Sequence, residues 1–338
     1  MISLIKQENL VHLNGASTLD GIPELPGVYA FRDDQGTTIY VGKAKSLRRR
    51  VSSYLRQLNP YLEDRIRRMV HQARQLHIFE TESELLALLL EDQLIKEHCP
   101  EFNIRLKDAF RHRYLAFTDE DYPTLRIVDG PAAHHPELFG PYQDRYAAEA
   151  VHELVCKWFA LRTCSAPMPA RTCAYYDMRL CPGPCQALVS RGQYAEHVRS
   201  AAAFLMGDES SLLHRMLDSL EQHSRQLRFE QAAEIKRTME FCHRLVQRQR
   251  FFRCFTDGQL VLHERREGEA TYRFHQGWLV DYRPEIVPWQ NLPVAEVGER
   301  FPRDTEQGTD ERYLVDRANI VYSWINRHQC EHVFLPGS

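Results

Sequence analysis

Two short tyrosine segments lie close together near the start of the chain. Gly27-Val28-Tyr29 is followed, after ten intervening residues, by Tyr40-Val41-Gly42. Each sits in a run of strand formers, Gly27-Val28-Tyr29-Ala30-Phe31 and Thr37-Thr38-Ile39-Tyr40-Val41-Gly42. Between them, Asp33-Asp34-Gln35-Gly36 is turn chemistry, with Gly36 free to take positive φ. The pair reads as a β-hairpin and commits this region to a small antiparallel sheet.

Helical periodicity follows. A helix is predicted from about Ser46, with Leu47, Val51, Tyr54 and Leu55 on one face, and a second, basic one over 61–75. Ile78-Phe79-Glu80-Thr81 reads as a third strand. Residues 82–98 form a strong helix with Leu85, Leu86, Leu88, Leu89 and Ile95 buried, ended by Pro100. Strands are expected at 114–118 and 125–128, and helices at 146–159, 194–206 and 212–250, the last breaking near Arg228-Phe229. Strand character returns over 259–282, and 311–328 reads as a helix. The fold class is α+β. Expected domains are 20–108, a linker region over 109–206 holding a cysteine-rich stretch at 164–185, a helical hairpin at 211–250, and an unassigned α/β segment at 255–338.

At 338 residues the chain has room for two or three domains. It has no apolar run long enough for a transmembrane helix, and its N-terminus is too polar for a signal peptide, so a cytoplasmic protein without a membrane partner is expected. The net charge of −3 argues against a general nucleic-acid binder, but its distribution does not. Residues 43–74 carry ten Lys or Arg against Glu63 and Asp64, whereas 255–338 carry fourteen acids and nine bases. A basic stretch on an acidic chain is the footprint of a targeted phosphate contact or of a solvated helix face. Lys43, Lys45, Arg48, Arg49 and Arg56 are the candidate DNA contacts.

Phosphodiester hydrolysis requires a deprotonated water, stabilisation of the phosphate charge and help for the leaving oxygen. Glu91, on a rigid helix, suits a Mg²⁺ or Mn²⁺ that keeps most of its waters. Arg50 suits a phosphate. Tyr29 or Tyr40 accepts the water proton only if a cation such as Lys43 lowers its pKa from about 10. Singly, each residue also reads as ordinary sheet, helix or surface.

Together, the tyrosine triplets with Lys43, Arg50, Glu91 and Asn103 resemble the active-site set of the GIY-YIG nucleases. The resemblance narrows to the UvrC family in Leu25-Pro26-Gly27-Val28-Tyr29, in the run from Tyr40 to Tyr54, and in Leu89-Leu90-Glu91 and Leu94-Ile95-Lys96. Phe102-Asn103 with the five residues after it, and Phe139-Gly140-Pro141-Tyr142, continue it. It implies incision of damaged double-stranded DNA 3′ to a lesion, with a UvrB-like partner. It further implies that Tyr29 and Tyr40 are the paired tyrosines, Lys43 tunes one of them, and Arg50 binds phosphate. Tyr54 is then an active-site tyrosine, Glu91 the metal ligand and Asn103 a positioning residue. Valine replaces isoleucine in both triplets, and Ala109-Phe110-Arg111 stands where the family carries an acidic-basic run.

Cys164, Cys173, Cys181 and Cys185 follow C-x8-C-x7-C-x3-C. From spacing alone zinc leads, an iron–sulfur cluster comes second, and unligated thiols third. The resemblance reverses the first two and implies a [4Fe–4S] cluster. Cys99, Cys156, Cys242, Cys254 and Cys330 read as isolated buried thiols, and Trp278, Trp289 and Trp324 as core.

The stretch from Leu227 to Glu234 resembles the UVR hairpin, which implies partner contacts through Leu220, Leu227, Phe229, Ala232 and Ala233. Lys236-Arg237 replaces the usual Arg-Asp pair there. The 84 residues after 254 are too few for the RNase H-like nuclease and helix-hairpin-helix modules of full-length members, so a short, Cho-like form making one incision is expected. The competing readings are a non-catalytic UvrB- or DNA-binding adaptor and a free-standing nuclease of a mobile element.

Overall fold

The structure, a computed structural model, describes residues 4–13, 21–55, 63–103, 112–129, 137–142, 144–165, 168–171, 173–266, 268–291 and 309–335. In chain order come β1 Gln7–His12, β2 Gly27–Arg32, β3 Thr38–Ala44, α1 Leu47–Leu55, α2 Asp64–Gln72, β4 Gln75–Glu80 and α3 Glu84–His98. Next are β5 Arg113–Phe117, β6 Leu125–Asp129, β7 Phe139–Tyr142, α4 Arg145–Trp158, the short α5 Ala174–Asp177, α6 Arg191–Leu205, α7 Ser210–Arg225 and α8 Phe229–Asp257. β8 Gln259–Glu264, β9 Ala270–His275, β10 Trp278–Arg283, α9 Thr309–His328 and β11 Glu331–Leu335 follow. The chain is α+β and divides into two compact units, Met1–Phe110 with Phe252–Ser338, and Arg111–Phe251.

In the first unit an antiparallel sheet has the order β1-β4-β2-β3. Strand alternation sorts its two faces. Tyr29 and Phe31 pack with Leu47, Val51 and Tyr54 of α1, while Val28, Ala30 and Val41 pack with Ala87, Leu90 and Leu94 of α3. β3 is an edge strand, and its outward groups are capped in turn rather than left open. The Ile39 carbonyl accepts from the Phe102 amide at 2.9 Å. The Val41 amide and carbonyl pair with the Asn103 side chain at 2.9 and 2.8 Å. The Lys43 amide donates to Glu91 Oε1 at 2.9 Å.

Ser83 starts α3, its hydroxyl accepting from the Leu86 amide at 3.1 Å. Cys99 ends it in the left-handed region at φ 44°. The helix is apolar on more than one face because it lies between β2 and β3 on one side and α9 on another. A second antiparallel sheet, β10-β9-β8-β11, completes the unit. Residues 255–338, set apart by their sequence as a segment of their own, thus fall in the same compact unit as the N-terminal sheet. Two sequence expectations fail here. Trp289 is 42% exposed, and Cys99 and Cys254 are exposed rather than buried, because each lies where a helix or turn faces solvent.

In the second unit, β6-β5-β7 forms a three-stranded sheet covered by α4. Its core gathers Leu115, Phe139, Val151, Phe159, Phe204 and Met216. The Asp144 carboxylate caps α4 at the Ala147 amide, 2.8 Å away, and Ser190 with Gln193 forms a capping box on α6. α7 and α8 are joined through Gln226–Arg228, with Leu227 left-handed at φ 56°.

Candidate active site

Three tyrosine hydroxyls converge on the face of the first sheet that α1 covers. Tyr29 Oη lies 3.0 Å from Tyr54 Oη, and Tyr40 Oη 3.5 Å from it. β2 and β3 supply two of them through the register that sets Tyr29 opposite Gly42 and Phe31 opposite Tyr40. The triplet glycines make this approach possible. A Cβ at Gly42 would meet Tyr29 Oη at 2.4 Å, and one at Gly27 would meet the Phe79 carbonyl oxygen at 2.2 Å.

Arg50, one helical turn before Tyr54, donates from Nε to Tyr29 Oη at 3.3 Å. Its guanidinium lies 5.0 Å from the Tyr54 ring centre. The residue as a whole remains exposed. Burial, then Tyr40 and Tyr54, hold the Tyr29 hydroxyl well above its ordinary range, with Arg50 opposing. Burial and Tyr54 raise Tyr40 as well. In the free chain both hydroxyls are therefore proton donors at neutral pH.

Lys43 does not point at this cluster. Its Nζ pairs with Glu84 Oε1 at 2.5 Å, and Lys45 Nζ pairs with Glu84 Oε2 at 2.7 Å. Burial works against the Glu84 charge, but the two lysines outweigh it and hold the carboxyl below its ordinary value. The cation acting on the tyrosines is Arg50. Glu84 was missed in the sequence, although a signal existed. It lies seven residues before Glu91, two turns along the same helix face.

Glu91 is partly buried at the edge of β3. Burial pushes its carboxyl up to about 7, against the Lys43 amide and the Lys43 charge, while Asp92 adds to the rise. This is an acid short of positive charge. A single carboxylate on a rigid helix fits a hard divalent cation that retains several waters.

Of the basic candidates, Arg48 donates from Nε to the Ile22 carbonyl at 2.8 Å. Arg49 is exposed on α1, and Arg56 lies outside the described residues.

The four cysteines belong to the second unit. Cys164 follows Arg162, which is 1% exposed. Arg162 donates to the Tyr122 and Cys164 carbonyls at 2.6 and 2.8 Å and to Glu120 at 2.5 Å. That anchoring role was not read from the sequence. Burial raises the Cys181 thiol, and Cys164, Cys173 and Cys185 each add to it. Among the described residues, however, no group of three or more Cys, His, Asp or Glu is arranged to hold a metal ion. The thiols are neighbours but do not form a closed ligand set.

In the hairpin, Leu227 and Phe229 are 73% and 66% exposed. Ala233 is exposed and Ala232 partly buried, while Leu220 packs against the core. The sequence-predicted partner residues thus divide between the turn surface and the helix interface.

A small antiparallel sheet with paired strand tyrosines, a helix arginine and one helix carboxylate defines the GIY-YIG class of domain. Two family descriptions match the chain: "UvrC-like GIY-YIG domain" over residues 25–104 and "UvrC/Cho excinuclease, middle domain" over residues 112–204, together just over half of it. The chain belongs to the UvrC family. It is 38% identical over 218 residues to a UvrABC system protein C of Methanosarcina acetivorans, covering 64% of this chain and 42% of that protein. It is 36% identical over 231 residues to the namesake of Dechloromonas aromatica, covering 68% and 38%. It thus spans about two fifths of the length of these relatives. A solved structure of the GIY-YIG N-terminal endonuclease domain of UvrC from Thermotoga maritima, bound to magnesium as its catalytic divalent cation, is 36% identical, over 25% of this chain and 91% of that one, with a TM-score of 0.23. No described helix is long and apolar enough to cross a membrane.

Proposed function

We propose that the chain is a metal-dependent endonuclease of nucleotide excision repair, nicking one strand 3′ to a lesion in complex with a UvrB-like protein. The observation that carries this reading is the approach of Tyr29, Tyr40, Tyr54 and Arg50 to one another, with Glu91 held on the Lys43 amide. Mg²⁺ or Mn²⁺ bound at Glu91 would supply Lewis-acid stabilisation of charge on the phosphate. The guanidinium of Arg50 would bind the scissile phosphate and remain in contact with Tyr29. A tyrosine oxygen of the cluster would take the proton of the attacking water, once positive charge facing it offsets the burial that now keeps it protonated. Glu84 would hold Lys43 and Lys45 at the rim, where they face DNA phosphates as an ion-paired group.

The finer assignments are supported by residue chemistry. Cys164, Cys173, Cys181 and Cys185 would bind a [4Fe–4S] cluster, or zinc in its place, once the thiols close on it. Arg162 would fix the first of them. Leu227 and Phe229 would meet the UvrB-like partner, and the reaction would take place in the cytoplasm.

The test is nicking of an end-labelled duplex carrying one lesion, with Mg²⁺ or Mn²⁺, with and without the UvrB-like protein. A partner-dependent cut 3′ to the lesion supports the proposal. Equal cutting without lesion or partner supports the free-standing nuclease, and binding without cutting supports the adaptor.

A further inference from the structure

Helix α3 carries a second set of charges that the nuclease chemistry does not use. One residue beyond Glu91, Asp92 turns toward α9. Its Oδ2 lies 2.7 Å from Lys96 Nζ, which also lies 2.9 Å from Asp316 Oδ2 on α9. The three side chains are 3%, 2% and 12% exposed. Tyr313, one turn before Arg317 on α9, places its ring 4.9 Å from Lys96 Nζ. Arg317, itself buried, stacks on Trp278 of β10 at 4.1 Å and acts on Asp92. Two acids and two bases are thus enclosed between α3 and the C-terminal sheet and helix.

Such a set is a poor way to gain stability, because apolar residues of similar volume serve as well or better. Its effect is geometric. Leucines tolerate a slide or rotation of one helix on another, whereas Lys96 meets both Asp92 and Asp316, at 2.7 and 2.9 Å, only in one arrangement of α3 on α9. The same helix presents Glu91 to the Lys43 amide on its other side. A rotation of α3 that separated Lys96 from Asp316 would also move Glu91.

We infer that α9 is a positioning element for the nuclease site: Asp316 and Arg317, acting through Lys96 and Asp92, fix α3 and thereby the place of Glu91. The inference rests on the reading of Glu91 as the metal-binding carboxylate. Asp316 is a positioning residue, not a catalytic one, and it gives a function to a segment that the sequence left unassigned.

The test uses the full chain, with Mn²⁺ binding measured by calorimetry without DNA, and amide hydrogen exchange of α3 measured without metal. Asp316→Asn, shown to be folded by its thermal transition, is expected to weaken Mn²⁺ binding about tenfold, as removal of supporting partners of a metal ligand does. It should also raise exchange in α3, and Asp316→Glu should restore most of both. Unchanged Mn²⁺ affinity and unchanged exchange in the folded Asn variant would overturn the inference. Should that variant fail to fold, Tyr313→Leu keeps all four charges and is expected to weaken Mn²⁺ binding about threefold through the lost ring contact. No change there would overturn it equally. Glu91→Gln serves as the control: if it leaves Mn²⁺ binding intact, the reading of Glu91 itself falls. If it abolishes binding while the α9 variants change nothing, only the inference falls.

Discussion

The Asn103 side chain occupies the place of a missing strand beside Val41, accepting from its amide at 2.9 Å and donating to its carbonyl at 2.8 Å. Sixty-two residues separate the two, so one amide group ties the segment after α3 to the strand that carries Tyr40. Asn103→Ala would orphan two buried backbone groups. It is expected to cost about 2–4 kcal/mol, read as a shift in the denaturant midpoint, and to lower nicking through misplacement of Tyr40.

Gly42 is fixed by contact rather than by a turn. An alanine methyl there would meet Tyr29 Oη at 2.4 Å and its ring carbon at 2.7 Å. Gly42→Ala is expected to destabilise by about 1–3 kcal/mol. Adding Tyr29→Phe should recover part of the loss, since the nearest clashing atom is gone. A double-mutant cycle in thermal unfolding checks the coupling.

Glu91 gives the metal-free chain a pH signature. Its folded pKa of about 7 lies above its ordinary 4.5, so between these values the folded state holds the proton more tightly than the unfolded one. Its contribution to stability is full below the lower value and is lost as pH rises toward 7. In EDTA, the wild type should therefore lose stability relative to Glu91→Gln between pH 5 and 8, in matched melts. Mg²⁺ should remove that difference.

Leu227 and Phe229 project into solvent at the α7–α8 turn. Leu227→Asp and Phe229→Ala are each expected to change stability by no more than about 0.5 kcal/mol, while weakening capture of a UvrB-like protein in a pull-down or by calorimetry. Loss of folding instead would place these residues in the core.

The hairpin and α3 were legible in the sequence because strand propensity, turn chemistry and helical periodicity all act locally there. The same holds for the break before α8, where Leu227 adopts the left-handed conformation. β1 was not legible. Its residues are almost all exposed, so no alternation marks it, and it becomes a strand only by pairing with β4 some 70 residues away. β7 contains Pro141, which reads against a strand, and β11 is short and mostly exposed. The site residues were legible as residue types, but their partners were not. Lys43 reads as the cation for a tyrosine, whereas its Nζ pairs with Glu84, 41 residues along the chain. The clustering of charges around Lys96 depends on α9, more than 200 residues later, and nothing local announces it.

Under the proposed function one carboxylate, Glu91, makes phosphodiester cleavage metal-dependent. The direct measurement is the single-turnover nicking rate of the lesion duplex, in the presence of the UvrB-like protein, across a Mg²⁺ titration for wild type and Glu91→Gln, with folding of both verified. The wild type is expected to show saturable Mg²⁺ dependence and the variant a loss of about a hundredfold to a thousandfold, the range seen when a group that stabilises transition-state charge is removed. A folded Glu91→Gln chain that nicks at the wild-type rate would overturn the assignment of Glu91.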